Sequence, residues 1–280
     1  MSTEPPSTID RTGLLSSYPA VTYFLLTYAI SWSGALLLVA PKLLRGQALS
    51  KLDGLLMFPI MLFGPSVAGI TLTRIVDHKT GLKTLFSRMR KLPFAAHWYL
   101  VLLIPPVLIF AVLLSLKTFV SPTFTPNHFW IGILFGIPAG FFEEIGWTGF
   151  ALPKLMRGHA AFPSAALLGI LWACWHIPVI DYLGTATPHG SSWLSYFLAF
   201  ATAMTAVRII ISWSYVNTGS VPLAQFLHMI STGSLVIFSP ARATASEEAM
   251  WYWIYAAALW VVVAMVLWRY GYGLRKTRRY

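Results

Sequence analysis

Residues 128–152 read HFWIGILFGIPAGFFEEIGWTGFAL, and this stretch decides the fold. A membrane-crossing helix needs about 20 mostly apolar residues, and the stretch is that long with no lysine, arginine or aspartate in it. Its carboxylates are the adjacent Glu143 and Glu144. Gly136, Pro138 and Gly140 precede the acids. Two readings stand for them: they loosen the helix and open a path for water, or they are the ordinary small and kinking residues of packed membrane spans.

Working outward, seven further runs have the same character: Ala20–Ala40, Gly54–Val76, His97–Val120, Phe162–Leu183, Trp193–Tyr215, Val221–Phe238 and Met250–Tyr270. The expected fold is therefore all-α, a polytopic bundle of about eight transmembrane helices. The chain reads as one transmembrane domain over 1–280, with a polar N-terminal tail at 1–18 and core helices at 128–238. Composition agrees: 57% of residues are hydrophobic and only 10% charged, against about 25% charged in soluble domains. That balance excludes a soluble domain and a disordered chain, and a single cysteine, Cys174, excludes a disulfide scaffold.

A net charge of +11 raises nucleic acid as a partner, but its distribution favours membrane lipid and no nucleic acid. With eight spans, the tails and even-numbered loops share one side. That side holds Arg11, the Arg74–Lys91 cluster, Lys154, Arg157 and the five basic residues from Arg269 to Arg279; the other side holds Lys42, Arg45, Lys51 and Arg242. Basic residues concentrate on the cytoplasmic side of membrane proteins, which places both termini in the cytoplasm and the basic clusters against anionic lipid.

Of nine carboxylates, Glu4, Asp10, Asp53, Asp77, Glu247 and Glu248 are expected in tails or loops, and Asp181 near the outer end of the fifth span. Glu143 and Glu144 are different. A carboxylate at mid-membrane depth costs at least about 2.5–3.5 kcal/mol on insertion scales, and adjacent like charges resist joint ionisation. His176 and His228 lie inside the fifth and seventh spans, and at 1.5 Å per residue Glu144 and His228 fall at similar depth. His176 sits fourteen residues into its span, near or past the midplane. Arg208, in the sixth span, either snorkels to the interface or ion-pairs with Glu144.

These residues resemble three motifs of the CPBP (CAAX protease and bacteriocin-processing, Abi) family of intramembrane glutamic proteases, which includes the type II CAAX prenyl endopeptidases. FEEIGWTGFALP at 142–153 resembles the first motif, WACWHIP at 172–178 the second, and NTGSVP at 217–222, followed by His228 and Thr232, the third. Two positions depart from the pattern. Thr148 stands where the family commonly has arginine, and Thr232 where it commonly has asparagine; Arg208 is the cation available to replace the first.

The resemblance implies a prokaryotic plasma-membrane endopeptidase that hydrolyses a membrane-associated, hydrophobic or lipidated peptide from the cytoplasmic half of the bilayer. In that scheme Glu143 is the general base, His176 helps hold the water, and His228 with Thr232 faces the oxyanion; Glu144 belongs to the catalytic group and Arg208 is its charge partner. No metal or other cofactor is implied, zinc being the alternative reading of glutamates beside histidines. The rival functions are a non-enzymatic immunity or scaffold protein of the same family, and a proton-coupled transporter, for which no inverted repeat is evident.

Overall fold

The computed structural model describes Gly13 and residues 16–93, 95–180 and 189–275, omitting the Lys51 side chain. Helices α1 (Pro19–Leu44), α2 (Lys51–Val76) and α3 (His78–Arg88) are followed by a 3-10 run, Ala96–Leu103, that leads into α4 (Ile104–Phe119). Then come α5 (Gly132–Gly146), a single π turn (Trp147–Ala151) and α6 (Leu152–Leu155). The remainder is α7 (Ala161–Trp175), α8 (Trp193–Thr218), α9 (Val221–Phe238) and α10 (Ala245–Tyr270).

Seven helical stretches among the described residues are long and apolar enough to cross a membrane. The eighth crossing is composite, running from α5 through the π turn into α6, so the protein is an all-helical, multi-pass membrane protein of about eight spans. Two expectations on the boundaries change. The fifth span does not continue as one helix to Leu183: α7 stops at Trp175, His176 caps it, and Pro178 lies in a short 3-10 turn at Ile177–Val179. Asp181 lies outside the described residues. Asp53, Glu247 and Glu248 are in the first turns of α2 and α10 rather than in loops. The orphan N–H groups of a helix start welcome carboxylates there: Asp53 accepts from the Ser50 N–H at 2.7 Å, and Glu247 from the Thr244 N–H at 2.8 Å.

The centre of the bundle is the α5–α9 contact, and glycines set its closeness. A β-carbon on Gly132 would stand 2.6 Å from the Gly233 carbonyl oxygen, and one on Gly140 2.5 Å from that of Gln225. Gly136 lies between them against Met229 and Gly233. Spaced four residues apart, the three form one helix face and let the backbones touch, as small residues do in membrane interfaces. This settles the reading of Gly136 and Gly140 as packing. Pro138 is within α5, and the irregular turn follows the acids instead of preceding them.

The two ends of the bundle differ in charge. At the end shared by the C-terminus of α2, α3 and α6, Asp77 receives Lys154 Nζ at 2.6 Å and Arg157 at 3.5 Å, and Arg88 donates to the Tyr215 hydroxyl at 2.7 Å. The opposite end carries Asp53, paired with Lys42 at 2.7 Å, together with Glu247 and Glu248.

Candidate active site

The π turn begins at Trp147, three residues after Glu144. Trp147 and Thr148 open that turn, and each follows an acid by four positions, the spacing that puts side chains on one helix face. The Trp147 indole donates to Glu143 Oε2 at 3.0 Å, and the Trp172 indole, from α7, donates to the same oxygen at 2.8 Å. Two rigid N–H groups from different helices therefore fix one oxygen of Glu143. Oε1 has no hydrogen-bond partner among the described residues, and the side chain lines a cleft.

Glu144 is fully buried and fully engaged. Arg208 reaches it from α8 in a bidentate fork, at 2.8 Å to Oε1 and 2.9 Å to Oε2. Thr148 donates its hydroxyl to Oε2, and His228 Nδ1 meets Oε1 at 2.8 Å. Arg208 is 0% exposed and its guanidinium lies 4.4 Å from the centre of the Trp172 ring. It does not snorkel. A planar, delocalised cation suits such a site because it satisfies the carboxylate bidentately and stacks on an aromatic face.

The histidines have settled tautomers. His176 Nδ1 is 2.8 Å from the Trp172 carbonyl oxygen, which can only accept, so Nδ1 bears the proton and Nε2 is free to accept in the neutral ring. By the same reasoning His228 donates from Nδ1 to Glu144, and its Nε2 is buried with no partner. The Trp172 ring packs edge-on to both imidazoles, with centroids 5.5 Å from His176 and 4.9 Å from His228.

Glu143, His176, His228 and Thr232 line one cleft, with a cavity of about 100 Å³, whose other walls are almost wholly apolar. Phe58 of α2 and Phe135 of α5, with ring centres 5.1 Å apart, separate it from a second, entirely apolar groove between those helices on the outside of the bundle.

Of the six residues singled out from sequence, four thus share the cleft, while Glu144 and Arg208 stand directly behind it and hold His228. Three residues have roles that sequence reasoning did not assign. Trp147 and Trp172 hydrogen-bond Glu143, and Thr148 bonds Glu144. The signal was present as spacing: Trp147 and Thr148 each follow an acid by four positions, the separation that places side chains on one helix face. Cys174 lies outside the cleft lining.

A multi-pass helical membrane protein with a carboxylate, two imidazoles and a hydroxyl converging in a part-open cleft at mid-bundle is the class that fold and site define. Residues 125–234, which supply most of that cleft, match the family model described as Rce1-like, type II CAAX prenyl endopeptidase Rce1-like. Over 171 residues the chain is 28% identical to a protein named CAAX prenyl protease 2 from Methanococcus maripaludis, a match covering 56% of this chain and 62% of that protein. The match therefore spans less than two thirds of that relative. Through this segment the chain is similar to the type II CAAX prenyl endopeptidase family.

Proposed function

We propose that the protein is an intramembrane endopeptidase that hydrolyses a peptide bond of a membrane-associated or lipidated peptide with a glutamate-activated water. One observation carries the reading: Glu143, held through one oxygen by two indoles, presents its other oxygen to the same cleft as His176, His228 and Thr232. Water bound between Glu143 Oε1 and the His176 Nε2 lone pair loses a proton to Glu143 as it attacks the carbonyl carbon. The resulting oxyanion faces Thr232 and His228. His228 donates from Nε2 only when doubly protonated, because its Nδ1 proton is committed to Glu144. The proton on Glu143 then passes to the leaving amine, which restores the carboxylate and releases two peptides.

Glu144 and Arg208 act behind the reacting atoms as positioning residues. Arg208 and Thr148 occupy three acceptor directions of the Glu144 carboxylate and leave one for His228, so the imidazole keeps a single orientation. A metal ion has no role in this scheme.

Purified protein is tested with a set of apolar and lipidated peptides against Glu143→Gln. Turnover by the wild type that disappears in the variant and is unaffected by a chelator supports the reading. Equal turnover by both proteins would remove Glu143 as the base, and inhibition by the chelator would restore the zinc alternative.

A further inference from the structure

A second cleft lies apart from the catalytic one, at the end of the bundle where α2, α3 and α6 meet. It holds about 460 Å³, and its polar lining includes Asp77, Thr80, Arg88, Lys154 and Arg157. None of these residues lines the catalytic cleft. The volume is more than ten times the about 30 Å³ that a water molecule takes up, so the space admits a group of several heavy atoms.

Charge in the lining does not cancel. Asp77 is its carboxylate, set against Arg88, Lys154 and Arg157, so positive charge is in excess. Lys154, with a side chain only 4% exposed, gives its ammonium to both Asp77 oxygens. The arginines are less committed. Arg88 donates Nη1 to the Tyr215 hydroxyl at 2.7 Å and Nε to the Thr84 carbonyl oxygen at 3.4 Å. Its Nη2 has no hydrogen-bond partner among the described residues. Arg157 makes only a long contact of 3.5 Å from Nη2 to Asp77, and the rest of its guanidinium is likewise unengaged among them.

An acceptor entering here is met by guanidinium forks from two elements, α3 and the turn after α6. Planar forks with spare N–H groups match the oxygens of a phosphate. The position suits that group as well, because basic pockets between transmembrane helices at headgroup depth take anionic lipid head groups. The cleft also adjoins the π turn. Gly149 and Phe150 form part of its wall. Helix α3 seats on the same turn through Leu85, which is 0% exposed; a β-carbon on Gly149 would stand 2.6 Å from Leu85 Cδ1.

We propose that this cleft binds a phosphate group shared between Arg88 and Arg157, with Asp77 kept neutralised by Lys154. The bound group ties α3 to the chain that follows the π turn, and so braces the turn that carries Trp147 and Thr148. An anionic lipid headgroup and free phosphate present the same oxygens to the two arginines.

The full-length protein in detergent is titrated with phosphatidylglycerol, inorganic phosphate and diacylglycerol, and binding is read by native mass spectrometry and by the melting temperature. Phosphatidylglycerol or phosphate is expected to bind and to raise the melting temperature, whereas diacylglycerol, which lacks the phosphate, does neither. Each arginine neutralised should weaken binding by about tenfold, for loss of one charge-assisted hydrogen bond. The double variant Arg88→Gln, Arg157→Gln should therefore bind about 100-fold more weakly. Arg242→Gln, an exposed charge outside this cleft, should bind as the wild type does. Preference for phosphatidylglycerol supports the site and assigns the lipid; equal saturation by inorganic phosphate supports it and assigns the free ion. Failure of both to bind, equal binding by wild type and double variant, equal binding of diacylglycerol, or an equal loss in Arg242→Gln would overturn it. Should the double variant fail to fold for want of the Tyr215 bond, Arg157→Gln alone gives the tenfold reading, since its side chain is 59% exposed. Binding needs no turnover, so this outcome is independent of the endopeptidase reading.

Discussion

Glu143 and Glu144 are neighbours in sequence, about 100° apart around one helix, and they occupy opposite chemical surroundings. Glu144 meets a guanidinium, a hydroxyl and an imidazole, is 0% exposed, and has no acceptor direction left over. Glu143 meets only two neutral indoles at one oxygen and keeps the other towards the cleft. An acidic pair in a membrane is thereby divided: one carboxylate is fully engaged within the bundle and the other keeps an oxygen without a hydrogen-bond partner among the described residues. The division depends on neighbours from three other helices, since nothing in α5 alone distinguishes the two acids.

The sharpest way to break this contrast is to neutralise each acid in turn. Glu143→Gln should remove turnover by about 10²–10⁴-fold, the range typical of a positioned general base, while the melting temperature stays close to wild type.

Arg208→Met should instead act on the fold. Removing one partner of a buried ion pair leaves an uncompensated charge at a cost of about 3–5 kcal/mol, read as a lowered midpoint in thermal or denaturant unfolding. Adding Glu144→Gln to that variant should recover much of the lost stability without restoring activity, because His228 then lacks its carboxylate. If Arg208→Met melts like wild type, the ion pair does not hold the site together.

Smaller effects test the donors. Thr232→Ala should lower the turnover number by about 10²-fold with little change in KM, as for loss of one oxyanion donor. Trp172→Phe removes one of two hydrogen bonds to Glu143 at about 1 kcal/mol; it should slow turnover several-fold and leave Glu144-dependent stability alone. A Trp172→Phe enzyme that lost stability as severely as Arg208→Met would mean that the two acids are not independently held.

Much of the fold was legible because a span is a one-dimensional property: a run of apolar residues of the right length announces itself wherever its partners are. The same holds for Glu143, His176 and His228, conspicuous because polar groups in apolar helices are costly. Arg208 was conspicuous too, but its partner was not, since snorkelling and pairing differ only in where another helix stands. Sequence gave no means of distinguishing Gly136 and Gly140 as contact points from weak points; that depends on Met229, Gln225 and Gly233 lying across from them. The end of α7 at Trp175 was missed because Ile177 to Leu183 stays apolar after the helix has stopped. The indole N–H groups of Trp147 and Trp172 meet at Glu143 only because the fold brings α7 to that acid.

The π turn also uncouples the two ends of its crossing. Upstream of Trp147 the phase of the helix is set by the glycines seated on α9; downstream it is set by Lys154 reaching Asp77. Removing one residue between Trp147 and Ala151 would wind that turn back to an α turn and swing everything after it by about 100°. Such a deletion leaves the acids in place while turning Lys154 away from Asp77, so the chain tolerates substitution there more readily than a change of length.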